Sequence, residues 1–204
     1  EAVAAFEQAL ALDPESAPAM EGKASLLLSG GDAARARQLL DRAAELEPGN
    51  ASYTYQAAQI ELSAGRVAEA EARLRRTLER DPVHAHASND LAWILAERGE
   101  ELDRALRLAE RAAQADPSPK LLDTLGWVQY RRGEHEAAAS TFERARALEG
   151  ASPSIAYRLG LALKQTGDRA RAAELFREAL AAGTPFPEAD SARAELAQIE
   201  ASAS

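Results

Sequence analysis

The sequence predicts an all-α fold, a solenoid of stacked helix–turn–helix units. Three observations predict it. Five glycines, Gly31, Gly65, Gly99, Gly133 and Gly167, stand 34 residues apart at every step. A second ladder of small residues, Ala24, Ala58, Ala92, Gly126 and Gly160, runs in phase with the first at the same interval. Alanine, leucine, glutamate and arginine dominate, the composition of a helical chain. A fixed period of this length marks a repeat protein in which each unit packs only on its neighbours.

Residues 1–12 read as a helix with Ala2, Phe6 and Ala9 on one face, stopped before Pro14. Residues 1–16 are the second half of a repeat whose first helix is expected upstream. Full units follow at 17–50, 51–84, 85–118, 119–152 and 153–186. In each, a first helix runs to the ladder glycine, which supplies the positive φ of a helix end and tight turn, and a second helix starts just after it. In the unit 119–152, Leu122, Leu125 and Gly126 share a face of the first helix, and Ala138, Phe142 and Ala145 a face of the second. The same second-helix face recurs as Ala36, Leu40, Ala43; as Ala70, Leu74, Thr77; and as Ala172, Phe176, Ala179. Pro48, Pro82 and Pro117 end second helices, because proline disfavours helix in the residue before it.

The unit 85–118 departs from register. Gly99 to Ala105 is six residues where the others have five, and Ala112 to Gly126 is fourteen where the others have fifteen. One inserted residue is offset by one deletion. Gly150 and Thr184 replace the terminal proline of two units, so a different turn is expected there. Residues 187–201 read as a capping helix with the stripe Ala189, Ala192, Leu196 and Ile199. Its expected wet side is Glu188, Asp190, Arg193, Glu195 and Glu200. Residues 202–204 read as a frayed tail.

Composition narrows the function. The net charge is −9, which disfavours a general affinity for nucleic acid. No apolar run reaches the ~18 residues of a membrane span. Zero cysteine excludes disulfides and thiolate chemistry. His84 and His86 flank Ala85 without the i, i+4 spacing of a helical zinc pair, and they read as a polar turn. His135 reads as a packing residue beside its turn. There is no phosphate loop and no nucleophile elbow. Arg73, Arg75, Arg76 and Arg80 alternate with Glu69, Glu71 and Glu79, which reads as a solvated helix face with i, i+4 pairs. No cofactor, metal or catalytic residue is implied.

The run 121–148, LLDTLGWVQYRRGEHEAAASTFERARAL, resembles the tetratricopeptide repeat (TPR) family: a bulky residue, leucine and a small residue, a turn glycine, then alanine, aromatic, alanine. The resemblance extends over nearly the whole chain. It implies right-handed superhelical stacking, a concave groove lined by first helices, and a non-catalytic role in holding other proteins. The words NDLAWILAERGEELDRALRLAERA, LLDTLGWVQYRRG and FPEADSARAELAQI also resemble C-terminal TPR arrays of proteobacterial cell-envelope proteins. Some of those accompany exopolysaccharide export or protein sorting of the PEP-CTERM type. That resemblance favours a periplasmic or outer-membrane-associated location over the cytoplasm.

The family faces the second, fifth, sixth, ninth, twelfth and thirteenth positions of each unit into the groove. Carried over, this gives Tyr55, Gln59, Asn89, Trp93, Lys120, Asp123, Trp127, Tyr130, Arg131, Tyr157, Arg158 and Lys164 as the partner-binding surface. Both tryptophans fall at the ninth position of adjacent units. Tryptophan and tyrosine suit recognition surfaces, which favours ligand binding; packing of one first helix on the next is the alternative. Lys120, Arg131, Arg158 and Lys164 against Asp123 suggest a locally basic trough and a partner with a negative group; ordinary solvated charge is the alternative. The family's chaperone-tail clamp needs Lys and Asn four apart in one first helix. Glu21/Ser25, Tyr55/Gln59 and Asn89/Trp93 stand there instead, so the clamp is absent. Three functions remain: a scaffold for a peptide or protein, a carbohydrate-contacting element with Trp93, Trp127, Tyr130 and Tyr157 stacked on sugar rings, and an accessory domain attached to an enzyme.

Overall fold

The computed structural model describes residues 2–149, 152–183 and 185–202. Among these residues the regular structure is twelve α-helices and no strand. They are α1 (Ala2–Leu12), α2 (Ala17–Ser29), α3 (Ala33–Leu46), α4 (Ala51–Ser63), α5 (Val67–Arg80), α6 (Ala85–Arg98), α7 (Leu102–Ala115), α8 (Pro119–Arg131), α9 (His135–Glu149), α10 (Pro153–Thr166), α11 (Arg169–Ala181) and α12 (Ala189–Ser202). Helices α2, α4, α6, α8 and α10 are first helices of repeats, and the odd-numbered ones are second helices. The chain divides into two compact units, residues 1–87 and 88–204.

The turns follow from the glycine ladder. All five glycines have φ between 70° and 94°. The residue after each donates its N–H to the carbonyl five positions back: Asp32 to Leu27, Arg66 to Glu61, Glu100 to Leu95, Glu134 to Gln129 and Asp168 to Leu163, at 2.8–3.0 Å. This bond closes a helix whose last residue has turned left-handed. Asp32 and Asp168 then cap the following helices, accepting from the N–H of Arg35 and Arg171 at 3.1 Å. At the other end, α3, α5 and α7 stop at Leu46, Arg80 and Ala115, two residues before Pro48, Pro82 and Pro117.

The inserted residue of the unit 85–118 is absorbed before α7, where Glu101 takes φ 44. It is the one non-glycine residue with positive φ among those described. The backbone there carries about 1–2 kcal/mol of strain, and Ala105, Ala109 and Ala112 all reach full burial one step late. The different turns expected at Gly150 and Thr184 lie outside the described residues. So does the tail beyond Ser202, which itself still belongs to α12.

The core of four of the five repeats is a size match between their two helices; in the unit 85–118 both positions, Ala92 and Ala109, are small. Phe142 and Phe176 are fully buried, and a Cβ on Gly126 or Gly160 would stand 2.7 or 2.6 Å from their rings. Where leucine replaces phenylalanine, at Leu40 and Leu74, the small residue is alanine: Ala24 and Ala58, all without exposed surface. Phe6 packs forward instead, onto Gly22 of α2, where a Cβ would meet its ring at 2.2 Å.

Two expectations about charge are corrected. Arg73 does not belong to a solvated face, whereas Arg80 is exposed as expected. Arg73 pairs with Asp41 of α3 and lies 3.7 Å from Glu61 of α4, and Arg80 donates to Thr54 Oγ1 at 2.6 Å. Arg75 makes the expected i, i+4 pair, with Glu71 at 2.8 Å. Glu61 is itself buried and also meets Arg66 and Arg37, the latter at 3.5 Å. The second correction concerns the last helix. Ala192 and Ile199 are buried as expected, and Asp190 and Arg193 are exposed. Glu188 and Glu195, however, turn toward α10 and pair with Arg158 and Lys164. They stand 30 and 31 residues beyond Arg158 and Lys164, within reach of α10, so the packing of neighbouring helices, not the solvent, decides their direction.

Candidate functional site

In residues 88–204 the ninth-position tryptophans meet. The Trp93 and Trp127 rings lie 6.2 Å apart at 28°. Tyr130, one turn after Trp127 on α8, stacks on it at 5.2 Å and 11°. His135, the first residue of α9, tilts against Tyr130 at 5.1 Å. The result is a four-ring row running from α6 across α8 to the start of α9. Trp93, Trp127 and Tyr130 are half-buried. Offset stacking of this kind suits ring quadrupoles and adds to burial.

Polar contacts lock the row. The Trp127 indole N–H donates to Glu97 Oε1 at 2.6 Å, and Arg131 donates to the Glu97 carbonyl at 3.0 Å. The guanidinium of Arg131 stands 5.7 Å from the Trp127 ring centre. Arg158 reaches in from α10, 4.8 Å from the Trp93 centroid and 5.8 Å from that of Trp127. It pairs with Asp123 of α8 and, at 2.5 Å, with Glu188.

The remaining expected site residues are distributed as follows. Lys120 is exposed and lies 3.6 Å from Asp90. Lys164 is held by Glu195 and by Gln198 at 3.0 Å. Asn89 and Tyr157 are buried, at 2% and 8% exposure, and present little surface. Tyr157 packs on Phe176, and burial pushes its hydroxyl above the ordinary tyrosine value. In residues 1–87, Tyr55 leans on His84 at 4.6 Å, while His84 Nδ1 accepts from the Ala87 N–H at 3.2 Å. Gln59 borders a separate apolar hollow of about 450 Å³ with Leu28, Gln56 and Ile60.

The expected basic trough is therefore balanced. Lys120, Arg158 and Lys164 each face a carboxylate, and Arg131 alone among the four cations has none within ion-pair distance among the described residues. Sequence reasoning missed Glu97, Glu188 and the place of His135 in the row. The signal was present for the first two: Glu97 stands one period before Arg131, and Glu188 one period after Ser154, its partner at 2.9 Å. No group of metal-binding side chains occurs among the described residues, and no helix among them is long and apolar enough to cross a membrane.

Comparison with known proteins agrees with this architecture. One tetratricopeptide repeat model matches residues 55–120, 123–184 and 157–204, and another matches residues 1–60. No curated protein matches the chain. Among solved structures it is similar to YrrB, a TPR protein with an unusual peptide-binding site, at 22% identity and TM-score 0.76 over 88% of this chain and 92% of that one. It is also similar to MamA, from residue 41 to its end, of Desulfovibrio magneticus RS-1, with 21% identity, TM-score 0.71, and 80% and 93% covered. A third likeness is to pilF of Pseudomonas aeruginosa, with 19% identity, TM-score 0.68, and 93% and 90% covered. At these identities the likeness is one of fold. The repeat models, the glycine ladder and the paired helices together show that the chain belongs to the tetratricopeptide repeat family.

Proposed function

We propose that the chain is a non-catalytic interaction scaffold that holds an extended peptide segment of a partner protein, centred in residues 88–204 on Trp93, Trp127 and Tyr130. The aromatic row carries this reading. Its rings are half-buried and pre-stacked, and Glu97 holds the indole of Trp127, so little side-chain freedom is left to lose on binding. Such anchors dominate peptide and protein recognition. Arg131, the cation without a carboxylate, favours a partner with a negative group beside an apolar side chain. The fold shared with YrrB, a peptide-binding TPR protein, supports the same class of ligand.

Carbohydrate contact is the weaker reading. Stacking on a sugar needs a free ring face. Here Trp93 and Tyr130 both lie against Trp127, and Arg158 stands beside both indoles. Envelope placement, periplasmic or outer-membrane-associated, rests on the sequence words shared with envelope arrays; fractionation of cells producing the full-length protein tests it. Function is tested by titrating tryptophan fluorescence with an immobilisation-free peptide library and with an acidic polysaccharide such as alginate. Saturable peptide binding that Trp127→Ala weakens by about 2 kcal/mol or more supports the scaffold. Saturation by alginate and by no peptide would replace it with the carbohydrate reading.

A further inference from the structure

Arg158 is poorly placed to meet a ligand. Its side chain is 11% exposed, and Asp123 and Glu188, at 17% and 20%, enclose it. Its guanidinium lies over Trp93 and near Trp127. It thereby touches side chains from α6 and α8 and the residue that leads into α12. A charge this enclosed is stable only while both carboxylates stay in place, because losing one leaves the other partners desolvated around an incomplete pair. The planar guanidinium can meet carboxylates at its edge and an indole on its face at once, which a lysine ammonium cannot do.

We infer that Arg158 is a positioning residue for the tryptophan pair, and that Glu188 makes the order of that pair depend on α12. The inference rests on the aromatic row being the binding surface, but concerns how the row is held rather than what it binds. Glu188 holds the Arg158 guanidinium at 2.5 Å, and that guanidinium is its link to the tryptophans. A partner that pulled at α12 would loosen the row, and one that ordered the row would tighten α12, because coupling between two sites is reciprocal.

The chain contains two tryptophans, so their mutual electronic coupling can be read without a ligand. Circular dichroism should show an exciton couplet from the stacked indoles, abolished by Trp93→Phe. Arg158→Met should lower its amplitude by more than half with helicity retained, and Arg158→Lys should restore it only in part. Glu188→Gln should reduce it measurably by loosening Arg158. Lys164→Gln, which releases Glu195 of α12 but leaves Arg158 untouched, should not. An unchanged couplet in folded Arg158→Met or in Glu188→Gln overturns the inference, as does equal loss in Lys164→Gln. Should Arg158→Met fail to fold, the contrast between Glu188→Gln and Lys164→Gln decides. Failure to bind any peptide would remove the scaffold reading and leave these spectra standing.

Discussion

Gly126 has no room for a methyl group, because the Phe142 ring that would receive it is fully buried. Alanine is the better helix former by about 1 kcal/mol, yet overpacking should dominate, and Gly126→Ala should destabilise by about 1–3 kcal/mol net. Adding Phe142→Leu recreates the pair seen at Ala24 and Leu40 and should recover most of that loss. Urea unfolding of the single and double variants checks this; no recovery would mean that the two positions are not matched. Tyr157 gives a second residue-scale expectation. Its folded pKa is raised chiefly by burial, so the folded state holds the phenolic proton more tightly than the unfolded chain. Its contribution to stability is full below the unfolded value of 10.0 and is lost as pH rises through the higher folded value. Ultraviolet titration should find two tyrosines, Tyr53 and Tyr157, ionising late, and Tyr157→Phe should remove one of the two.

The paired helices α4 and α5 show how one element can depend on charge at an apolar register. Glu61 occupies the eleventh position of its repeat, where Leu27, Leu95 and Leu163 stand in three others. It is 4% exposed at its side chain, while Arg66 is 47% exposed. The arginines around it can turn to Asp41 or to water; Glu61 cannot. Glu61→Leu should therefore be tolerated within about 1 kcal/mol, since a buried pair is often replaceable by apolar packing. Arg66→Leu should cost more, about 1–3 kcal/mol, because it strips a bond from a buried carboxylate. Equal effects in denaturant unfolding would show that Arg37 and Arg73 satisfy Glu61 by themselves.

At the scale of the whole molecule, stability in a repeat array is a sum over units and their neighbours. Helix α1 is the weakest term in residues 1–87. Its Phe6 is only partly buried and seats on Gly22, whereas Phe142 and Phe176 are enclosed by both helices of their own repeats. Hydrogen exchange should therefore find α1 opening before α9, with rates at least about tenfold faster. Comparable protection in the two helices would refute this ranking.

The period, the helix boundaries and the small-on-large core are legible in the sequence because each is a local or strictly periodic property. A glycine forced to positive φ, a proline two residues past a helix end and an alanine facing a leucine leave marks in the residue order itself. Contacts one period apart, such as Glu97 with Arg131, are legible in principle by the same arithmetic. Only the tertiary structure decided where the long charged side chains go. It drew Arg73 to Asp41, Arg158 to Asp123 and Glu188, and Lys164 to Glu195, and so turned an expected basic trough into a balanced one. Those outcomes depend on which neighbouring helix lies within reach of a flexible side chain. A helical period states which face a residue occupies, but not which of several partners across that face will hold its charge.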